Sequence, residues 1–279
     1  MNWPALKALW LPRRSQQQEW LDADDIPAHD LHENLDDLRW FNRYLGSHWL
    51  VLRAFQRLWH GMGCPRHLRV LDVCTGAGDI PAMLLRWGRR RGVRLAIVAV
   101  DNHWGVIQYV HALQPLLSRL TLVQADGVCL PFQAQTFDLV VCSTMLHHLY
   151  WHQGIALLQS LAAVARYGVI VNDLVRSRLH YYAARLVLSV LARHQVTRDD
   201  GPLSVLRAYS LEEVREMARL AGLARAHVST ALGYRFVLVY VPPARGRALR
   251  PCADTVAPRG RALRPCADTV APREATDGS

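Results

Sequence analysis

Two hydrophobic periodicities divide the chain. From Asp30 to Trp59 apolar residues (Leu31, Leu35, Leu38, Phe41, Leu45, Trp49, Leu52, Phe55, Leu58) recur every three or four positions, the stripe of an amphipathic helix, and Gly46 is placed to break it in two. From Leu68 onward short apolar runs alternate with helical stretches instead. The pattern predicts strands at 68–73, 94–100, 119–124, 137–142 and 167–172 and helices at 79–90, 103–113 and 152–165, with a loop and short helix at 126–132. Strands alternating with helices of these lengths imply a mostly parallel sheet covered on both faces. Farther on, 178–194 reads as an apolar helix carrying Arg178, Arg185 and Arg193. Ser210-Leu211-Glu212-Glu213 opens another with a capping box, and Gly222 closes it. Strands at 223–230 and 234–241, joined through Leu232-Gly233, come last.

The stretch Val70-Leu71-Asp72-Val73-Cys74-Thr75-Gly76-Ala77-Gly78-Asp79 stands out chemically. A buried strand runs into a glycine-spaced turn and then a helix, so backbone can approach a ligand closely and the helix N-terminus offers free N–H groups. The second strand ends in Asp101, followed by Asn102. An acid there is where a parallel α/β sheet reads ribose hydroxyls. The dinucleotide fingerprint G-x-G-x-x-G is not met, because the spacing supplies Cys74, Gly76 and Gly78.

That spacing resembles motif I of the class I S-adenosylmethionine (SAM) methyltransferases, and further blocks follow in the family's order. Ala125-Asp126-Gly127 with Leu130-Pro131-Phe132 looks like its adenine loop, Thr136 to Val141 like its fourth strand, and Met145-Leu146-His147-His148-Leu149 like the segment after it. The resemblance is nearest to the ubiquinone/menaquinone-biosynthesis type and similar small-molecule enzymes. It implies a Rossmann-like α/β fold with a seven-stranded, mostly parallel sheet whose last strand is antiparallel. It also implies SAM as cofactor. Asp72 would face the methionine amino group, Cys74, Gly76 and Gly78 would line the loop, Asp101 and Asn102 would serve the ribose side, and Asp126 with Gly127 the adenine. His147, His148 and Asp173 are the candidate bases on the acceptor side, where Asn172, Arg176, Arg178, His180, Tyr181 and Tyr182 are candidate pocket residues. Trp40, Phe41, Tyr44 and Trp49 are read either as core or as a roof over the ligand.

Domain organisation is expected as a helical N-terminal cap (1–62), the methyltransferase domain (63–241) and a disordered tail (242–279). In that tail Arg245–Pro258, RGRALRPCADTVAP, is repeated without change as Arg259–Pro272. The net charge of +10 over 279 residues is carried by arginine, Lys7 being the only lysine. Such a balance fits nucleic acid, an anionic membrane surface or an acidic ligand without choosing among them. Six cysteines without a C-x-x-C pair fit a reducing cytoplasm. Ser143-Thr144 after the fourth strand supply no metal-holding acid, and His147, His148 and His152 make no zinc pattern, so no metal is expected. The acceptor is expected to be a small apolar molecule of phenolic, quinone-like or polyketide-derived kind from bacterial secondary or lipid metabolism. No specific nucleic acid is expected, and weak peripheral membrane contact through 178–194 is. The alternatives are an RNA or protein methyltransferase, and a non-catalytic SAM-fold binding protein.

Overall fold

A computed structural model describes residues 13–22, 26–113, 120–192 and 194–243. The duplicated tail segment, Cys252 and Cys266 lie outside these residues. Two helices lead, α1 (Ala28–Tyr44) and α2 (Ser47–Gly61), and Gly46 between them takes the left-handed conformation (φ 82°) that the break requires. Then come β1 (His67–Val73), α3 (Asp79–Arg91), β2 (Arg94–Asp101), α4 (Trp104–Ala112), β3 (Leu120–Gln124), β4 (Phe137–Ser143), α5 (Trp151–Val164) and β5 (Ala165–Leu174). The chain continues through α6 (Arg178–Leu191), α7 (Gln195–Arg207), α8 (Leu211–Leu220), β6 (His227–Ala231) and β7 (Arg235–Tyr240).

The seven strands form one sheet in the order β3-β2-β1-β4-β5-β7-β6. β1 to β5 pair in parallel, and β7 enters antiparallel between β5 and β6. Its central strands are nearly all apolar (Val70, Leu71 and Val73 in β1; Leu139 to Cys142 in β4) because both faces are covered. One face buries Phe55 of α2, Leu84 and Trp87 of α3 and Val110 of α4; the other buries Leu157, Leu158 and Leu161 of α5 and Met217 of α8. The order reverses between β1 and β4, so the carboxyl ends of these strands open the crevice in which such sheets bind ligands.

Three local expectations need correction. Residues 126–132 form a turn and no helix: the Asp126 Oδ1 accepts from the Val128 N–H at 2.9 Å, and Pro131 removes a donor from the next turn. The apolar helix ends at Leu191, and a separate helix, α7, follows. Its buried residues (Thr197, Asp200, Pro202, Val205, Arg207) are mostly polar and include a proline, so no apolar stripe announced it. β6 begins at His227, four residues later than its apolar run, since Leu223 is taken up by the closing turn of α8, where its N–H reaches the Ala218 carbonyl at 2.8 Å. The capping box there is present in both directions, Glu213 N–H to Ser210 Oγ at 3.2 Å and Ser210 N–H to Glu213 Oε2 at 2.7 Å. Gly222 follows in the left-handed conformation.

Candidate active site

The glycine turn leaves β1 through Cys74, Gly76 and Gly78, all with positive φ. Cys74, at 58°, adopts for itself the conformation a glycine would take without strain. Asp101 at the tip of β2 holds the turn: Gly76 N–H donates to its Oδ2 at 3.1 Å and His103 N–H to its Oδ1 at 3.1 Å. Burial raises the Asp101 pKa above the usual carboxylate range despite those amides. Asn102 beside it is exposed and gives its carbonyl to Gln124 Nε2 at 3.0 Å. Asp126 is exposed and closes its own turn, while Gly127 is buried. A Cβ on Gly127 would stand 2.8 Å from Val73 Cγ1 and 3.3 Å from Cys74 Sγ, so only glycine lets the third loop reach the end of β1.

Asp72 is the unusual member. It is buried, its Oδ2 has no hydrogen-bond partner, and burial, reinforced by the charges of Asp79 and Asp101, pushes its pKa up to about 8. Helices α1 and α2 close over this corner. The Leu38 side chain faces Gly76, and His48 Nε2 lies 2.6 Å from Asp79 Oδ2 at the start of α3. Asn42 Nδ2 points to Asp79 Oδ1 at 3.5 Å, the outer limit of a hydrogen bond. Neither Asn42 nor His48 carried a sequence signal, because each stands singly on its helix outside any motif.

Beyond β4, a 3₁₀ turn (Leu146–His148) presents the histidine pair. His147 Nδ1 lies 2.7 Å from Asp173 Oδ1, and the His147 N–H donates to Asp173 Oδ2 at 3.1 Å, both side chains being buried. Burial alone would raise Asp173; the charge and hydrogen bond of His147 outweigh it and hold the carboxyl below its usual range. His148 Nδ1 lies 2.7 Å from Asp22 Oδ1. Burial would lower the His148 pKa, but Glu19 and Asp22 outweigh it and raise it. Arg207 pins the turn, donating to the His148 carbonyl at 2.7 Å and pairing with Asp22, while Arg14 donates to the His147 and Leu149 carbonyls, each at 2.8 Å. Arg14, Glu19 and Asp22 belong to an irregular N-terminal segment whose sequence has no period to mark it.

A cavity of about 290 Å³ opens between this turn, the covering helices and β7. Its lining is mainly apolar, with Phe41, Leu45, Leu174, Val187 and Leu188, and its charged and imidazole members are Glu19, His147, His148, His180, Asp200 and Arg235. Leu38 and Asn42 line it too, so it adjoins the glycine turn. Of the aromatic roof residues only Phe41 faces the cavity; Trp40, Tyr44 and Trp49 are exposed. Of the pocket candidates His180 lines it, whereas Arg176 is buried against Glu213 and the Ala208 carbonyl, and Tyr182 is exposed. Asn172 donates to Ser47 Oγ and Ser143 Oγ, each at 2.9 Å, tying α2 to the sheet.

Against the expectation of no metal pattern, Glu19, His147 and His148 offer ligand atoms within 4.8 Å of one another. Arg207 Nε lies 3.7 Å from Glu19 Oε1, which places a fixed positive charge beside that cluster and disfavours a second cation.

Residues 70–168 match a family profile described as Methyltransferase domain. Over these residues the chain is similar to that family of domains. The fold around them agrees with a Methanococcus maripaludis protein assigned as a SAM-dependent methyltransferase, at 12% identity over 78% of this chain and 95% of that one, TM-score 0.52. Magnesium protoporphyrin IX methyltransferase from Synechocystis with bound SAM aligns at 15% identity over 78% of this chain and 99% of that one, TM-score 0.48. A Nostoc punctiforme protein assigned as an O-methyltransferase aligns at 16% identity over 73% of this chain, TM-score 0.47, and the chain spans 60% of its length. None of the curated proteins matches. At 12% identity the Methanococcus maripaludis structure speaks for the fold alone.

The domain's residues fit SAM. The unpartnered, buried Oδ2 of Asp72 is an acceptor waiting for a donor such as an α-ammonium group. Gly76 leaves open backbone in the crevice, where a Cβ would meet nothing closer than Leu38 Cδ2 at 3.5 Å.

Proposed function

We propose that the protein transfers the methyl group of SAM to a small, largely apolar acceptor of phenolic, quinone-like or polyketide-derived kind, at oxygen or carbon. The observation that carries this reading is the buried His147–Asp173 pair in the wall of an apolar cavity that adjoins the glycine turn. Asp72, Gly76, Gly78, Asp101, Asp126 and Gly127 are the residues that would hold SAM. When bound, SAM supplies an electrophilic methyl whose leaving group is a neutral thioether, so the protein's part is alignment and proton removal. A carboxylate accepts only, so His147 Nδ1–H donates to Asp173, which leaves Nε2, 3.8 Å from Glu19 Oε1, as the atom that takes up a proton. An acidic O–H or C–H of the acceptor placed against Nε2 loses its proton there as the methyl bond forms. The apolar wall excludes water and keeps the nucleophile unsolvated.

Calorimetric titration with SAM and S-adenosylhomocysteine (SAH), beside Asp101→Ala, tests the cofactor half of the reading. Micromolar binding that Asp101→Ala loses is expected, followed by labelled methyl transfer to phenolic acceptors; no binding by folded protein would sink the enzyme reading. Transfer to RNA in place of small molecules would favour the nucleic-acid alternative.

No helix among the described residues is long and apolar enough to cross a membrane. Helix α6 lines the cavity with Val187 and Leu188 and turns Leu179, Tyr182, Leu186 and Val190 outward, with Leu179 74% and Val190 73% exposed. Arg178 and Arg185 on the same helix are also exposed. An apolar stripe with basic neighbours supports weak contact with an anionic membrane from which an apolar acceptor is drawn. Co-sedimentation with anionic vesicles at low salt, lost in a Leu179→Gln, Leu186→Gln, Val190→Gln variant, is the expected result.

A further inference from the structure

Arg235 opens β7 opposite Leu174 of β5 and lines the acceptor cavity beside His180, Tyr234 and Thr144. It is 4% exposed, and its Nε and Nη1 have no hydrogen-bond partner. Asp173 and Asp79 are the acids whose charges it feels, yet among the described residues no carboxylate forms an ion pair with it. Asp173 already accepts from His147 and from its neighbour's N–H, Leu174, and Asp79 faces His48. Burial draws the Arg235 pKa down from its ordinary value, but a guanidinium remains charged at any working pH. A buried cation with two donor atoms unused is costly unless something brought into the cavity answers it. Its counterpart on the cofactor side is the unused carboxylate oxygen of Asp72. These two unpartnered groups belong to different halves of the site, Asp72 to the glycine turn and Arg235 to the acceptor cavity.

We propose that Arg235 is the anion subsite of the acceptor cavity: the natural acceptor is an apolar molecule carrying a carboxylate, seated on this guanidinium while its reacting atom meets His147. The inference rests on the acceptor reading of the cavity given above. The carboxylate would take charge-assisted hydrogen bonds from Nε and Nη1, and the surrounding Leu174, Val187 and Leu188 would hold the apolar body. The net charge of +10 adds long-range attraction for such a ligand.

The test uses SAH-loaded full-length protein and matched probe pairs: 4-hydroxybenzoate with 4-hydroxybenzamide, and 6-hydroxy-2-naphthoate with 6-hydroxy-2-naphthamide. Binding is read by calorimetry in wild type, Arg235→Met and Arg235→Lys. In at least one pair the wild type should bind the carboxylate about tenfold or more tighter than the amide. Arg235→Met should erase that preference while amide and SAH affinities stay within about twofold; Arg235→Lys should keep part of it. Without ligand, Arg235→Met should melt at or above the wild-type temperature, because it removes an unpaired buried charge. Equal affinity within every pair, including no binding of either member, overturns the inference. So does a lowered melting temperature, which would make the guanidinium a structural group. A selective loss of SAH affinity in Arg235→Met overturns it as well, by giving the arginine to the methionine carboxylate of the cofactor. Wild type that fails to bind SAH at all sinks the methyltransferase reading itself and is thereby distinguished from these outcomes.

Discussion

On the proposed reading, Asp72 couples cofactor binding to the loss of a proton. With its pKa pushed to about 8 by burial and by Asp79 and Asp101, about 0.9 of the molecules carry a proton on this group at pH 7. An α-ammonium group placed against Oδ2 requires the carboxylate, so binding expels that proton. Calorimetry of SAH binding at pH 7 in two buffers of different ionisation enthalpy should therefore report release of about 0.9 proton. Affinity should rise about tenfold per pH unit between pH 6 and 7 and flatten near 8. Asp72→Asn should bind SAH more weakly and with no pH slope. The free protein supplies a second check. The folded state holds a proton that the unfolded chain releases near pH 4, so stability from this group is greatest at low pH and falls as pH rises toward 8. The slope approaches about 1.4 kcal/mol per pH unit, and Asp72→Asn should remove it relative to wild type. Binding without proton release, at an affinity flat from pH 6 to 8, would refute the assignment of Asp72 as a protonated, desolvated acid awaiting a cation.

Four further outcomes follow from the same geometry. His147→Asn and Asp173→Asn should each lower methyl transfer about 10²- to 10⁴-fold with SAH affinity unchanged, measured by labelled-methyl assay beside calorimetry; equal loss of SAH binding would assign the pair a structural role. Because Asp173 is held below its usual range in the fold, the stability it contributes is present above about pH 4 and lost as pH falls through its folded value, so Asp173→Asn should narrow its deficit to wild type in acid melts. Transfer should survive exhaustive chelation with EDTA, since Arg207 sits beside Glu19 where a cation would lie; loss restored by one divalent ion would reverse that reading. Gly46→Ala should destabilise the fold by about 1–2 kcal/mol in denaturant titration, from its positive φ and a Cβ only 2.2 Å from Leu232 Cδ1.

What was legible in the sequence, and what was not, follows from where the ordering forces act. The sheet and its flanking helices were readable because burial on both faces imposes continuous apolar runs on β1, β4 and β5 and clear stripes on α2 and α3. The cofactor corner was readable because positive φ and close backbone approach restrict which residues can stand at Gly76, Gly78 and Gly127. The acceptor side had no such local rule. His147 meets Asp173, 26 residues away, because β4 and β5 pair in parallel and end at one edge. His148 meets Asp22 across 126 residues through a segment with no regular structure beyond one 3₁₀ turn. Helix α7 escaped notice since its buried face is built from Thr197, Asp200 and Arg207.

The same reasoning explains why Arg235 was invisible. In the sequence it opens an apolar strand, Arg235-Phe236-Val237-Leu238-Val239-Tyr240, and an arginine at a strand end is ordinarily solvated. Only the insertion of β7 between β5 and β6 brings that first position inside, where α6 and α7 then cover it. A strand end in the middle of a sheet differs from a strand end at its rim, and the difference is topological, so no single-residue property carries it. The cavity is accordingly walled largely by elements outside the matched stretch 70–168, α1, α6, α7 and the antiparallel β7, together with Thr144, His147 and His148 from within it. On the function proposed above, the glycine turn and its acids hold the methyl donor, and those added elements select the molecule set against it.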